Sequence, residues 1–413
     1  MIKEIIERAR QLYDQLLYYR IADSPTMKSY TNWHEFDKYA LNTDLLDKCI
    51  NSESEEIDLE KIYSLQEYDV IYHRSNVVKR EHIDNVEIEI LSRRDLMKID
   101  SVDRLFRLID PLESRIYARH LAEISSTLII RIGGRIYKPL KILISGECPQ
   151  SHLSQHLLVV VEEGAEAFIQ IVTDSLLNSM RTLVGEFFLE KESDLKISIV
   201  NKSIAPAFHS FHYLLSQDSS LEIYTLSIGG IASRFQNRVG LEGDYSRHHG
   251  YSLTLSSGSE WVHYVDSSML RGVGTVSLIE SRGVAMDKSK NIIQGFATQR
   301  ESARKSRSNV SVSALNVGGE ALTVTTPFIS VETGDVEEAA HSSSQTIVDL
   351  DMLAYLRSRG FSEREVVELV LRDYIDDFLE KTPEYARDTF LRELERYIRE
   401  KGFKIELVER ELE

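Results

Sequence analysis

The chain has 413 residues, 42% of them hydrophobic and 28% charged, with a formal net charge of −17. This length and balance exclude a disordered chain and give room for a large core and two or three structural units. The acidic excess repels phosphate backbones and anionic lipid, so neither nucleic acid nor a membrane surface is an expected partner.

The two cysteines, Cys49 and Cys148, are too few for a disulfide framework or a self-contained thiolate cluster site, which needs about four thiolates. Cys49 in LLDKCI reads as packing, and Cys148 in SGECPQ as a small residue with no flanking base. The pair fits a reducing, cytoplasmic setting. The opening MIKEIIERARQL is charged throughout, unlike a secretion signal, and no apolar run approaches the roughly 20 residues of a membrane helix.

Residues 2–20 place Ile2, Ile5, Ile6, Ala9, Leu12, Tyr13, Leu16 and Leu17 on one helical face. A polar and aromatic stretch around Pro25 and Trp33 follows, then one or two short helices over 41–66, giving a predicted helical N-terminal region, 1–83. From Val86 the period changes to two in VEIEIL, the mark of a half-buried strand. Residues 101–125 read as helix with a turn at Pro111, and TLIIRI opens a long β-region.

That region carries a loose repeat. The segments EEGAEAFIQIV, EKESDLKISIV, SQDSSLEIYTLS, HHGYSLTL, EWVHYV and GTVSLI follow polar turns at intervals of about 25–30 residues. Phe168/Ile169, Ile197/Ile199 and Ile223/Leu226 fall near the same point of the cycle. One unit cannot bury its own apolar face, but a stacked copy can. No helix pattern separates the strands, which disfavours an alternating strand–helix sheet. A mainly β fold follows, with a β-helix (β-solenoid) over 84–345 preferred to a β-sandwich. Helical regions at both ends would cover open strand ends, and remaining edges would pair with another subunit.

The stretch His341 to Phe361, HSSSQTIVDLDMLAYLRSRGF, hands over to helix. Asp349 is placed to cap a short helix with Leu350, Leu353 and Leu356 on its inner side, and Gly360 to end it. Ser362 with Glu365 forms a capping box for the next helix, lined by Val367, Val370, Leu371, Tyr374 and Phe378. Thr382-Pro383-Glu384 starts another helix, cap first and proline at its first position, carrying Phe390, Leu391, Leu394, Tyr397 and Ile398. The region 346–413 is larger than a cap needs to be, which makes its outer face a candidate docking surface.

No GxxxxGKS/T, GxGxxG between strand and helix, GxSxG, HExxH or CxxC occurs. Gly229-Gly230 and Gly318-Gly319 read as turns. His209 and His212 are three apart, hence on opposite faces of a strand. His248-His249 reads as a solvated polar turn and His263 as ordinary structure. His341 stands at the end of the array beside Glu337, Glu338 and Ser342 to Ser344. An imidazole near carboxylates suits iron if another subunit supplies the thiolate.

The segment AYLRSRGFSEREV, with LRSRGF its most specific part, resembles the end of the core domain in the SufB/SufD family, scaffold proteins of SUF iron–sulfur cluster assembly. The similarity runs from about Leu121 to Leu379: LVVVEEGAEAFIQI resembles early core strands, SIGGIASRFQNRVGLEGDYS the mid-core, and TPFISVETGDVEEAAHSSSQ the last strands. The resemblance implies a right-handed parallel β-helix flanked by helical regions. It implies a non-enzymatic scaffold that pairs through its β-helix with a SufB-like subunit or a second copy. It also implies that the C-terminal helices bind a SufC-type ABC ATPase around Leu353, Tyr355, Leu356, Arg357, Arg359, Gly360, Phe361 and Val367. No cofactor would be held stably; an iron–sulfur cluster would form transiently at the subunit interface, where the SufD-type histidine falls on His341. The SufB-type cysteine position falls on Ala321 in GGEALTVTTPF, so this chain looks SufD-like. The acidic neighbours of the SufB histidine are replaced by Ala340 and Ser342, which counts against iron binding by this chain alone. The competing expectation is a β-helix carbohydrate-active enzyme using clustered carboxylates, disfavoured by the C-terminal helices and the lack of an aspartate cluster.

Overall fold

A computed structural model describes residues 1–51, 64–175, 179–318, 320–347 and 350–402. The strands are β1 (Val70–His73), β2 (Asn76–Arg80), β3 (Val86–Ser92), β4 (Ile124–Ile132), β5 (Leu140–Ser145), β6 (His152–Val161), β7 (Glu166–Ser175), β8 (Met180–Leu189), β9 (Asp194–Ser203) and β10 (Ala207–Leu215). There follow β11 (Ser220–Ile228), β12 (Ser233–Leu241), β13 (Arg247–Ser256), β14 (Trp261–Leu270), β15 (Val276–Met286), β16 (Lys290–Gln299), β17 (Ser306–Val317), β18 (Leu322–Val331) and β19 (Val336–Ile347). The longer helices are α1 (Ile2–Leu12), α2 (Thr43–Asn51), α3 (Arg115–Ala122), α4 (Leu350–Ser358), α5 (Glu363–Lys381) and α6 (Glu384–Glu400).

From β4 onward the strands alternate between two sheets, so each even–odd pair is one coil of a β-solenoid of about eight turns. Sheet A runs β19-β17-β15-β13-β11-β9-β7-β5-β1-β2 and sheet B β18-β16-β14-β12-β10-β8-β6-β4-β3. Neighbours pair in parallel except β1–β2 and β3–β4. The repeat seen in sequence becomes register: Ile169 lies against Ile197, and Ile197 against Ile223. Between the sheets, Leu157, Phe187, Phe211, Phe235 and Tyr264 join these isoleucines in one buried cluster. Both faces of most strands are covered, which is why β6 and β8 are buried along their whole length.

The outer face of sheet B is covered by the N-terminal region, with Ile2, Ile6 and Ala9 of α1 and Ile116, Tyr117 and Leu121 of α3 packed on Leu158, Val160 and Phe188. The outer face of sheet A carries α5 and α6, whose Leu371, Phe378, Phe390 and Leu394 bury Leu226, Leu255, Val284 and Leu315. Ion pairs Arg282–Asp377, Lys381–Glu280 and Lys202–Glu393 tie these helices to the strands. Among the described residues no helix is long and apolar enough to cross a membrane.

Several sequence expectations change. The N-terminal stretch is not helical throughout: β1 and β2 form a hairpin that extends sheet A through β5. A run as short as VIYH carries too few residues to display a period. α1 ends at Leu12, and Leu17 is exposed. Over 101–125 only α3 is helical, because the turns before it present backbone N–H groups to Glu186 instead. His248 and His249 lie in β13, with His248 fully buried against Ser277; the polar turn ends before them. Thr382 closes α5 through a hydroxyl donated to the Phe378 carbonyl, and Pro383 occupies the cap of α6. Ser362 and Glu365 do form the capping box expected. Asp349 and the side chains of Leu350 and Leu353 lie outside the described residues.

The cysteines also differ from expectation. Cys49, on α2, and Cys148, in the turn after β5, are joined in a disulfide across a sequence separation of 99, their Cα atoms 5.7 Å apart. A count of two excludes a framework but not one long-range bridge, so the inference of a reducing setting from that count falls. The bridge pins α2 to the turn after β5, where its Leu46 packs with Leu153.

Candidate functional site

The last coil is built differently from those beneath it. β18 and β19 are the terminal strands of their sheets. Following one row across sheet A, Ile223 neighbours Gly250, then Ile279, Val310 and finally His341. His341 therefore continues the inward-facing row of the core, one coil past its last buried member. The same substitution of character occurs beside it: buried Val312 and Ala314 are followed by exposed Ser343 and Gln345. Ser343 and Gln345 reach across the bore to sheet B, hydroxyl to hydroxyl with Thr325 at 2.7 Å, and amide to the Thr323 carbonyl at 3.3 Å. The open end of the solenoid is thus lined by hydroxyls, one amide and one imidazole.

His341 is exposed and makes no hydrogen bond among the described residues. The carboxylates near it in sequence are not gathered round it. Glu337 is taken by Arg307 at 2.5 Å, and Glu338, three residues back on the strand, faces the other way. Ala340 and Ser342 also face away, Ser342 donating to Ser311 at 3.0 Å. Ala321 immediately precedes β18, half-buried. Among the described residues no group of three or more His, Cys, Asp or Glu side chains could hold a metal ion. The rim thus carries one imidazole with no hydrogen-bond partner among the described residues, set among hydroxyls.

Directly after β19 the chain enters α4. Tyr355, Arg357, Arg359, Gly360 and Phe361 are exposed, with Tyr355 at 58% and Phe361 at 43%. Arg359 lies over the Tyr355 ring and donates to its hydroxyl at 3.1 Å. Gly360, at φ 97°, lets the Phe361 N–H turn back to the Leu356 carbonyl at 3.2 Å. Leu356 is half-buried. Val367 is half-buried too and packs on the apolar cluster beneath α5, so it faces the body more than solvent. The α4–α5 corner follows the His341 strand directly in the chain, and among the described residues no hydrogen bond or ion pair joins the two.

Sequence reading missed a buried polar chain beneath α3. Glu123 pairs with Arg119 and accepts from His152 at 2.7 Å; His152 meets Thr182 at 2.9 Å; Thr182 meets His120 at 2.9 Å; His120 meets His156 at 3.1 Å; and His156 meets Glu186 at 3.0 Å. Desolvation, then the neighbouring imidazoles, holds the pKa of His120 well below its ordinary value. The chain fastens α3 and the segment around Phe106 to sheet B. The available signal was the period of two that puts His152, Ser154 and His156 on one face.

These features define a parallel β-solenoid closed by helices on both outer faces and open, with a polar rim, at its C-terminal end. Residues 143–374 match the SUF system FeS cluster assembly SufBD core domain, and the chain belongs to that family. It is 22% identical over 395 residues to an iron-sulfur cluster assembly SufBD family protein of Staphylococcus saprophyticus, covering 91% of this chain and 81% of that protein. Identity to the iron-sulfur cluster assembly protein SufB of Bacillus subtilis is 21% over the same span, with the same coverage. A SufBD family protein of Synechocystis aligns at 22% over 248 residues, 57% of this chain and 52% of that protein.

Proposed function

We propose that this SufBD family member is the SufD-like scaffold subunit of a SUF iron–sulfur cluster assembly complex. It would act in the cytoplasm and carry no chemistry of its own. The open coil of β18 and β19 pairs with the matching end of a SufB-like subunit, or of a second copy. His341 then serves a nascent cluster as ligand or proton carrier, with the thiolate supplied from across the interface, since Ala321 supplies none. The α4–α5 corner, with Tyr355, Leu356, Arg357, Arg359, Gly360 and Phe361, docks a SufC-type ABC ATPase; Leu353 and Val367 belong to the same segment.

The observation that carries the reading is the row Ile279, Val310, His341: a core position turned into an exposed imidazole only where the stack stops. Cluster loading of client enzymes in a host carrying His341→Ala is the test, with the purified variant's melting temperature as control. Loss of loading at unchanged stability supports the assignment, and normal loading overturns it. For the docking claim, a Tyr355→Ala/Phe361→Ala double variant is expected to lose pull-down of the ATPase while retaining the scaffold partner.

A further inference from the structure

On the opposite side from the helical hairpin, the N-terminal region and the outer face of sheet B enclose a cleft of about 740 Å³, within the range of small-molecule sites. Its floor is set by strand register. Arg238, Ser267, Phe296 and Phe328 follow one another across β12, β14, β16 and β18 in a single outward row. With strands about 4.8 Å apart, that row spans about 14 Å. Gly240 and Ser267 keep the floor low in its middle. At one end Phe296 and Phe328 touch each other, and Phe328 is half exposed.

The charge of the cleft departs from that of the chain. Five arginines line it in a protein with 66 acidic side chains. Arg238 is neutralised by Glu113 at 2.5 Å and Arg271 by Glu242. Arg20, Arg107 and Arg234 form no direct ion pair among the described residues; Glu113 and Asp23 act on Arg234 only at longer range. Asp23, which shares the cleft, is engaged by the Arg20 backbone N–H at 3.0 Å. Arg234 lies over the Trp33 ring and donates to Thr31 at 3.4 Å and Gln236 at 3.1 Å, both neutral, while its Nε is buried with no partner. A desolvated guanidinium with an unpartnered N–H and no carboxylate in contact is completed by an anion that reaches it.

We propose that this cleft binds a small organic anion, its phosphate or carboxylate groups held by Arg20, Arg107 and Arg234 and its flat or apolar body lying toward Phe296 and Phe328. The shared chemistry is a multivalent oxyanion; charge-assisted, two-pronged contacts from guanidinium suit both phosphate and carboxylate. The site does not depend on how the solenoid's open end is used.

Calorimetric titration of the full chain with inorganic pyrophosphate, citrate and ADP tests it. At least one is expected to bind more tightly than on the order of 1 mM. Preference for citrate marks a carboxylate ligand; preference for the other two marks a phosphate; and ADP above pyrophosphate shows that the aromatic end takes part. Arg107→Gln and Arg234→Gln are each expected to weaken binding about tenfold or more, and Arg94→Gln, remote and exposed, to leave it unchanged. Arg107 is exposed, so that variant reports even if the Arg234 change disturbs folding. No binding by any of the three, binding untouched by either cleft variant, or equal loss with Arg94→Gln overturns the proposal.

Discussion

Asp266 lies on β14 with its carboxyl facing the bore, fully buried between Asn237 and Gly295 of the adjoining strands. One oxygen accepts from the Tyr264 hydroxyl at 3.4 Å, and the other has no partner. Burial pushes the carboxyl from 3.8 to about 7, against a smaller downward pull from Tyr264. Two further titratable groups face it: the Tyr213 hydroxyl, which burial and the Asp266 charge keep protonated, and His248, which burial holds neutral at about 3. A Cβ added at Gly250 would sit 2.6 Å from the Asp266 carboxylate and 3.2 Å from the His248 ring, so the two share one small space. Between pH 3.8 and 7 the native carboxyl keeps a proton that the unfolded chain releases. Its contribution is therefore fully present below the unfolded pKa and falls by about 1.4 kcal/mol per pH unit as pH rises, about 4 kcal/mol in all. Buried neutral histidines such as His248 work in the opposite sense, gaining stability as pH rises, so the wild-type profile alone does not isolate the aspartate. The difference between Asp266→Asn and wild type does. In urea unfolding followed by circular dichroism, the variant's stability relative to wild type is expected to rise by about 3 kcal/mol between pH 5 and pH 8. Parallel profiles for the two proteins would refute a neutral, desolvated carboxyl at this position.

The disulfide closes a separation of 99 residues, and a loop near that length is worth about 4–5 kcal/mol of denatured-state entropy. Cys148→Ser, or reduction of the native chain, is expected to lower the melting temperature and expose the N-terminal region to protease; thiol titration under denaturing conditions should find reactive groups only after reduction. Glu186 accepts the N–H groups of Phe106 and Leu108 and pairs with His156, the carboxylate and the ring both fully buried. Glu186→Ala is expected to cost about 3–5 kcal/mol in equilibrium unfolding. At Gly295 an added Cβ would meet Val310 Cγ1 at 2.5 Å, so Gly295→Ala should destabilise by about 1–3 kcal/mol, readable as a fall in the urea midpoint.

The solenoid was legible because its repeat is written in apolar residues that must face the bore in every coil: the isoleucines at 169, 197 and 223 stack as their spacing implies. The hand-over to helix was legible from Gly360 and the Ser362–Glu365 box, both local signals. Less visible were features decided by distant partners. β1 pairs with β5 across some seventy residues, the Cys49–Cys148 bridge spans 99, and neither leaves a mark on its own segment. The linkage of His152 and His156 to Glu123 and Glu186 takes shape only when α3 is laid over sheet B. The cleft arginines are scattered from position 20 to position 271, so only the fold collects them. His341 was picked out by its place at the end of the array and by resemblance; what register adds is that it occupies a core row.

That register separates two accounts of His341. A solenoid's last coil has no next coil to bury its inward row, so polar residues there are expected on solvation grounds alone, and Ser343 and Gln345 fit that explanation. Capping needs a polar side chain at 341, but it does not need an imidazole. Glutamine supplies an amide of comparable size, can reach rim acceptors as Gln345 does, and has no ring nitrogen to bind iron or carry a proton. Because the position is exposed, His341→Gln is expected to stay within about 0.5 kcal/mol of wild type in unfolding. If the residue only caps the stack, this variant should load client enzymes with clusters as well as wild type does. If the imidazole itself is used, loading should fall as far with glutamine as with alanine, while the melting curves of the glutamine variant and the native chain coincide.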